Sequence, residues 1–238
     1  MNITKKIMLG INIFSIIIIF YHNYIYQSTG YKMELKVTCS AMFAVLGLIN
    51  LLFSIITKQS NIKFYICMSL GLILACLGDY LILFNFVKGA VSFALGHICF
   101  IIAYCFLKKI NKWDILISSV IFVGCLIFLL FHPLLNFDNP LFQIVCIIYS
   151  LIISLMVGKA VGNLIQDRNI ATITIALSSL LFFFSDLMLV LGWFVKTIEW
   201  ADDVCLATYY PALSLLSFSM LLIYLIKTKN EEQKSNYI

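Results

Sequence analysis

The chain has 238 residues, of which 63% are hydrophobic and 11% are charged, and its mean hydropathy is +1.04. A soluble domain carries roughly 25% charged residues, so this composition excludes a water-soluble fold and predicts an integral membrane protein. The net charge of +5 does not indicate nucleic acid as a partner, because basic residues of membrane proteins gather in short loops.

Long apolar runs between polar breaks predict an all-α fold, a polytopic bundle of about eight transmembrane helices in a single domain. The first run resembles a signal peptide, but it lacks a small-residue cleavage site and is interpreted as a helix. The predicted spans, in chain order, lie near 7–26, 36–57, 63–86, 89–107, 113–132, 140–163, 169–194 and 203–226, followed by a cytoplasmic tail at 227–238.

The basic residues predict the orientation of the spans. Twelve of the sixteen Lys and Arg residues fall on the side that holds both termini. The other side keeps Lys32, Lys36, Lys88 and Lys196. The positive-inside rule therefore predicts that both termini are cytoplasmic. Short loops and the absence of organelle motifs favour a multi-pass protein of a bacterial plasma membrane.

Two acidic residues lie deep inside predicted spans. Asp79 is in LACLGDYLILF and Asp186 is in LFFFSDLMLVL, and neither run contains another charge. A carboxyl at such depth is costly and usually functional, although a neutral carboxyl that packs two helices together is the structural alternative. Two such residues favour a functional centre.

Further polar residues are expected at the same depth. Span direction and a rise of 1.5 Å per residue place both aspartates roughly 10–12 Å from the outer end. His97, Tyr209 and Tyr210 fall in the same layer, although a core histidine and interfacial tyrosines are the structural alternatives. Lys36 either extends to the interface or contacts a phosphate there.

Segments 77–86 and 184–194 are similar to each other. Each has a small residue before Asp and leucine a few positions later, and the two aspartates are 107 residues apart (186 minus 79). A parallel repeat of four plus four helices is a hypothesis that would give both aspartates the same depth.

Together these motifs resemble the lysoplasmalogenase family, also called YhhN-like membrane proteins. The resemblance rests on an ordered set from Lys36 to Tyr210, which also includes Gly78-Asp79, Gly89, Phe93 and His97, Tyr149 with Met156, Ser185-Asp186, and Thr208-Tyr209. The chain departs from the family pattern at three positions, where Val37 replaces proline, Phe100 replaces tyrosine and Lys159 replaces arginine.

The resemblance implies hydrolysis of the vinyl ether bond of lysoplasmalogens to a fatty aldehyde and glycerophosphoethanolamine or glycerophosphocholine. This chemistry needs an acid and a nearby anion, which two carboxyls in different protonation states can supply. We therefore expect Asp79 and Asp186 to be catalytic, in either order. The expected substrate-binding residues are Lys36, His97, Tyr149, Ser185, Tyr209 and Tyr210.

The expected partners are a lysophospholipid substrate and bilayer lipids, with no cofactor and no metal. Two other functions remain open at this stage. One is a metal-dependent intramembrane lipid hydrolase that uses His22, His97 and His132 with an aspartate, although these histidines lack ligand spacing. The other is a lipid transporter or sensor in which the aspartates are proton or cation sites.

Overall fold

A computed structural model describes residues 3–30, 33–133, 135, 137, 139–195, 198 and 200–235. These residues form helices and no strand, and eight helices are long and apolar enough to cross a membrane. The helices are α1 (Ile3–Ser28), α2 (Met33–Ile56), α3 (Ile62–Ile82), α4 (Phe86–Leu107), α5 (Lys112–Phe131), α6 (Pro140–Gln166), α7 (Ile170–Phe194) and α8 (Ala201–Ser235). The predicted all-α bundle of eight membrane-spanning helices is therefore confirmed.

The boundary between α3 and α4 differs from the prediction. The third span was expected to reach residue 86, but α3 ends at Ile82 and α4 already begins at Phe86. Asn85 causes the break, because its side chain accepts a hydrogen bond from the Lys88 amide and caps α4. Asparagines also cap α5, α6 and α7, at Asn111, Asn139 and Asn169.

Consecutive helices joined by short turns run in opposite directions, so the bundle has two ends. We call the end where α3 and α7 finish the upper end, and the end where both chain termini lie the lower end. The sequence predicts that the lower end is cytoplasmic. Lys32 and Lys196, which that prediction assigns to the outer side, lie outside the described residues.

Close packing of α3 against α4 fixes the neighbours of the first aspartate. A Cβ atom at Gly78 would lie 2.9 Å from the Phe93 ring, and one at Gly89 would lie 2.5 Å from the Ile82 Cβ. Side chains at these positions would therefore push the helices apart. The two glycines thus let α4 approach α3 closely at Gly78, the residue before Asp79.

Candidate functional site

Asp79 is buried near the upper end of α3, with 3% of its surface exposed. Its Oδ2 atom accepts hydrogen bonds from the Ser40 hydroxyl of α2 and the Tyr209 hydroxyl of α8, each at 2.7 Å. The Lys36 ammonium lies 3.9 Å from Oδ1. Two hydroxyl donors and one cation thus surround this carboxyl.

Asp186 on α7 has a different set of neighbours. The Tyr149 hydroxyl of α6 donates to its Oδ2 at 2.7 Å, and the His97 Nε2 of α4 lies 3.4 Å from the same oxygen. His97 Nε2 also lies 2.8 Å from the Tyr149 oxygen. With the Tyr149 proton directed at Asp186, Nε2 is the donor to the Tyr149 oxygen.

The two aspartates share one pattern of support. Each receives a polar contact from the helix that precedes its own and another from a helix of the opposite half of the chain. From the preceding helix, Ser40 contacts Asp79 and Tyr149 contacts Asp186. From the opposite half of the chain, Tyr209 contacts Asp79 and His97 contacts Asp186. This arrangement is the one that a repeat of four plus four helices produces.

Both carboxyls line one cavity of about 470 Å³ at the upper end, which we call the polar cavity. Its charged and hydroxyl-bearing lining residues are Tyr26, Lys36, Asp79, Asp186, Asp202 and Tyr209. A Cβ atom at Gly192 would lie 2.4 Å from an oxygen of the Asp202 carboxylate, so any larger residue there would displace the carboxylate. The cavity therefore presents a cation and three carboxyls in one space.

A narrow second cavity of about 50 Å³, the apolar cavity, lies between α4, α5, α6 and α7. Its walls are almost entirely aliphatic, aromatic and thiol side chains. Four residues line both cavities, namely Ile82, Phe93, Asp186 and Leu189. Asp186 thus lies where a polar space meets an apolar one.

The remaining predicted residues differ in how they relate to the cavities. The Tyr210 hydroxyl lies 3.4 Å from the Ser40 oxygen and 3.4 Å from the Lys36 carbonyl, in a layer behind the cavity wall. Tyr149 lines the apolar cavity. Ser185 lines neither cavity, and its hydroxyl donates within its own helix to the Phe182 carbonyl.

Two residues of the site were not predicted. Ser40 lies four positions after Lys36 on α2, so the helical repeat places both on one face and could have identified it. Asp202 lies in the first turn of α8, where an acidic residue is common for helix stability. No sequence signal distinguished it from its neighbour Asp203.

The histidine-based metal alternative has no cluster to support it in the described ranges. No three His, Cys, Asp or Glu side chains come together there as metal ligands. His97 contacts Tyr149 and Asp186, whereas His132 packs against Phe128. The three histidines thus do not converge.

A model of the YhhN family matches residues 39–220, which is more than half of the chain. No curated protein and no solved structure matches it. The chain belongs to the YhhN family, as the ordered motifs indicated.

Proposed function

We propose, from its membership of the YhhN family and its paired carboxyls, that the protein is an intramembrane hydrolase of lysoplasmalogens. It cleaves the vinyl ether bond and releases a fatty aldehyde and glycerophosphoethanolamine or glycerophosphocholine. One observation carries the proposal: Asp79 and Asp186 line a common cavity, and Asp186 also borders an apolar one. A vinyl ether joins a polar headgroup to an apolar chain, so its reacting atoms suit that junction.

The reaction begins with transfer of a proton to the β-carbon of the vinyl ether, which leaves an oxocarbenium ion. Water adds to this cation and loses a proton, giving a hemiacetal. The hemiacetal then passes its hydroxyl proton to the glycerol oxygen and separates into aldehyde and alcohol. The net reaction consumes one water, and the enzyme must supply one acid and one anion.

The contacts of the two carboxyls favour Asp186 as the acid. In the described part of the chain it has no lysine or arginine partner, and it borders the apolar cavity, where the vinyl ether would meet it. Asp79 has Lys36 nearby and two hydroxyl donors, which suit an anion that stabilises the oxocarbenium ion. After giving its proton to carbon, Asp186 can accept one from the attacking water.

His97 acts through Tyr149. Its Nε2 proton holds the Tyr149 oxygen, which leaves the tyrosine proton directed at Asp186 Oδ2. The other carboxyl oxygen is then available to carry the transferred proton. In this arrangement His97 and Tyr149 position the acid and do not exchange protons with the substrate.

The polar cavity suits a zwitterionic headgroup. Lys36 and Asp202 give its wall one cation and one anion besides the paired aspartates. A phosphate next to Lys36 and an ammonium next to Asp202 would satisfy both charges. The alkyl chain would enter the apolar cavity, which at about 50 Å³ must widen to hold it.

The test is activity of the purified protein against matched lysolipids with a vinyl ether, an alkyl ether or an acyl ester at one position. We expect aldehyde release from the vinyl ether alone, because only that bond is activated by protonation at carbon. Release of fatty acid from the ester would indicate a different hydrolase. Binding of all three lipids without any cleavage would indicate a carrier.

A further inference from the structure

A separate cavity of about 280 Å³ lies at the lower end of the bundle. It is bordered by the start of α3, the end of α4, the turn between α6 and α7, and the last turns of α8. Tyr209, at the polar cavity, and Lys227, at this one, are eighteen residues apart on α8 (227 minus 209), which corresponds to roughly 27 Å of helix. This lower cavity is therefore distinct from the catalytic site.

The wall of this cavity includes a tyrosine with a buried hydroxyl. Tyr65 lines the lower cavity, and 1% of its surface is exposed. Its hydroxyl has no hydrogen-bond partner among the described residues. Such groups are rare because burial removes water that would otherwise bond to them, so a ligand that reaches this hydroxyl would gain an unused donor.

The lysines of the lower cavity wall have hydrogen-bond donors that no described protein acceptor uses. Lys108 uses one donor on Asp167 at 3.0 Å, and Lys227 uses one on Ser60. An ammonium has three donors, so each lysine retains two for a ligand.

Neutral side chains add little to this surplus. The Asn169 carbonyl oxygen caps α7, and its amide group already hydrogen-bonds Asp167. Thr172 already donates to the backbone. Among the described lining residues the only carboxylate is Asp167, so the two lysines give that set a net positive charge.

We propose that the lower cavity binds a phosphate group, which accepts hydrogen bonds from Tyr65, Lys227 and Lys108. Phosphate oxygens accept several hydrogen bonds at once and prefer charged donors. Ile223 and Ile226 of α8 also line the cavity, so an acyl chain could follow from the phosphate along apolar surface. The phosphodiester of an anionic phospholipid therefore fits this site, and free phosphate shares its chemistry.

The test is native mass spectrometry of the delipidated full-length protein with phosphatidylglycerol, phosphatidylcholine or inorganic phosphate as separate probes. We expect phosphatidylglycerol to be retained, and Tyr65→Phe and Lys227→Gln each to weaken its binding about tenfold. Lys112→Gln is the matched control, because Lys112 also lies near the lower end but packs on Trp113 and does not line the cavity. Saturation by inorganic phosphate alone would identify a free anion as the ligand.

Two results would overturn the proposal. One is equal weakening by Lys227→Gln and Lys112→Gln with no effect of Tyr65→Phe, since that pattern reflects diffuse charge attraction. The other is a lower melting temperature of delipidated Tyr65→Phe, which would mean that water or a protein group already satisfies the hydroxyl. The proposal requires an unchanged or higher melting temperature without ligand and a smaller rise when phosphatidylglycerol is added.

Discussion

A lysine lies near a buried aspartate at both ends of the bundle, and the two pairs are built differently. At the lower end the Lys159 ammonium lies 2.9 Å from the Asp114 carboxylate. At the upper end the Lys36 ammonium lies 3.9 Å from Asp79, too far for a hydrogen bond. The lower pair is hydrogen-bonded, whereas the upper pair is an ion pair without a direct hydrogen bond.

The surroundings of the lower pair leave it no space for a ligand. Lys159 also donates to the Lys109 carbonyl at 3.0 Å, and Asp114 accepts from the Asn111 backbone and side chain at 2.9 and 2.7 Å. A Cβ atom at Gly162 would lie 1.7 Å from an Asp114 oxygen, so α6 closes over the carboxylate. We infer that this pair holds α5 to α6.

The upper pair instead opens on the polar cavity of about 470 Å³. Asp79 is as well buried as Asp114, at 3% against 5% exposed. The two aspartates are thus equally buried and differ in access to a cavity, which is why we propose a functional role for Asp79 and a structural one for Asp114.

The largest expected effect is the loss of stability in Asp114→Asn. This change leaves the Lys159 charge buried without its partner, which costs about 3–5 kcal/mol. Chemical unfolding in detergent micelles should show a large decrease in the free energy of unfolding. The double variant Asp114→Leu with Lys159→Met is the control and should regain most of the loss, because neither charge remains. An unchanged unfolding curve for Asp114→Asn would contradict the structural role.

At the upper end the corresponding change should affect activity instead of stability. Asp79→Asn and Asp186→Asn should each lower turnover at least about a hundredfold, because the amide can neither donate the proton nor carry the negative charge. The amide is nearly isosteric and neutral, so the melting temperature should change little. Aldehyde release and thermal unfolding are measured on the same preparations. Full hydrolysis by both folded variants would falsify the acid and anion assignment.

Lys36→Met should weaken substrate binding about tenfold, because a phosphate would lose one charged donor. The change should raise KM more than it lowers kcat, since the phosphate is remote from the reacting bond. Lys88→Met is the control, because Lys88 also lies at the upper end but does not line the polar cavity. A fall in kcat without a change in KM would indicate that Lys36 acts mainly on Asp79.

Asp202→Asn should change headgroup preference by a factor of up to about five, the range of an exposed ion pair. The ratio of kcat/KM for a choline substrate to that for an uncharged headgroup should fall. Asp203→Asn is the control. It removes the same charge from the next residue of α8, whose side chain does not line the cavity. Equal effects of the two variants would show that headgroup preference depends on the total charge of the first turn of α8 and not on Asp202 in particular.

The smallest effect is expected at the exposed pair between Lys108 and Asp167 at the lower end, 3.0 Å apart. Hydrogen bonds from Lys108 and Asn169 hold the pKa of Asp167 below its usual value. Its contribution to stability is therefore present above that usual value, near 3.9, and is lost as the pH falls through the lower folded pKa. Asp167→Asn should cost less than about 1 kcal/mol at neutral pH because solvent screens the pair. The difference in melting temperature should disappear in acid, and a difference that grows in acid would contradict the assignment.

Part of the site followed from the spacing of residues along single helices. Counting residues from the helix end predicts the depth of Asp79 and Asp186. Counting four residues on from Lys36 would likewise have predicted that Ser40 shares its helix face. The pairing of Lys159 with Asp114 could not be predicted in this way, because it depends on how α5 and α6 are rotated against each other. Ser185 is adjacent to Asp186 in sequence, but its hydroxyl donates within its own helix, a contact that counting residues does not reveal.

The sequence by itself determined the number of helices and the level of the two aspartates, because hydrophobic length and a fixed rise per residue set both. It also indicated the family, through motifs spread over most of the chain. Only the tertiary structure decided which hydroxyl serves which carboxyl, that Asp186 lies between a polar and an apolar cavity, and that Asp114 is enclosed. These features depend on the rotation and tilt of each helix, which packing against neighbouring helices sets.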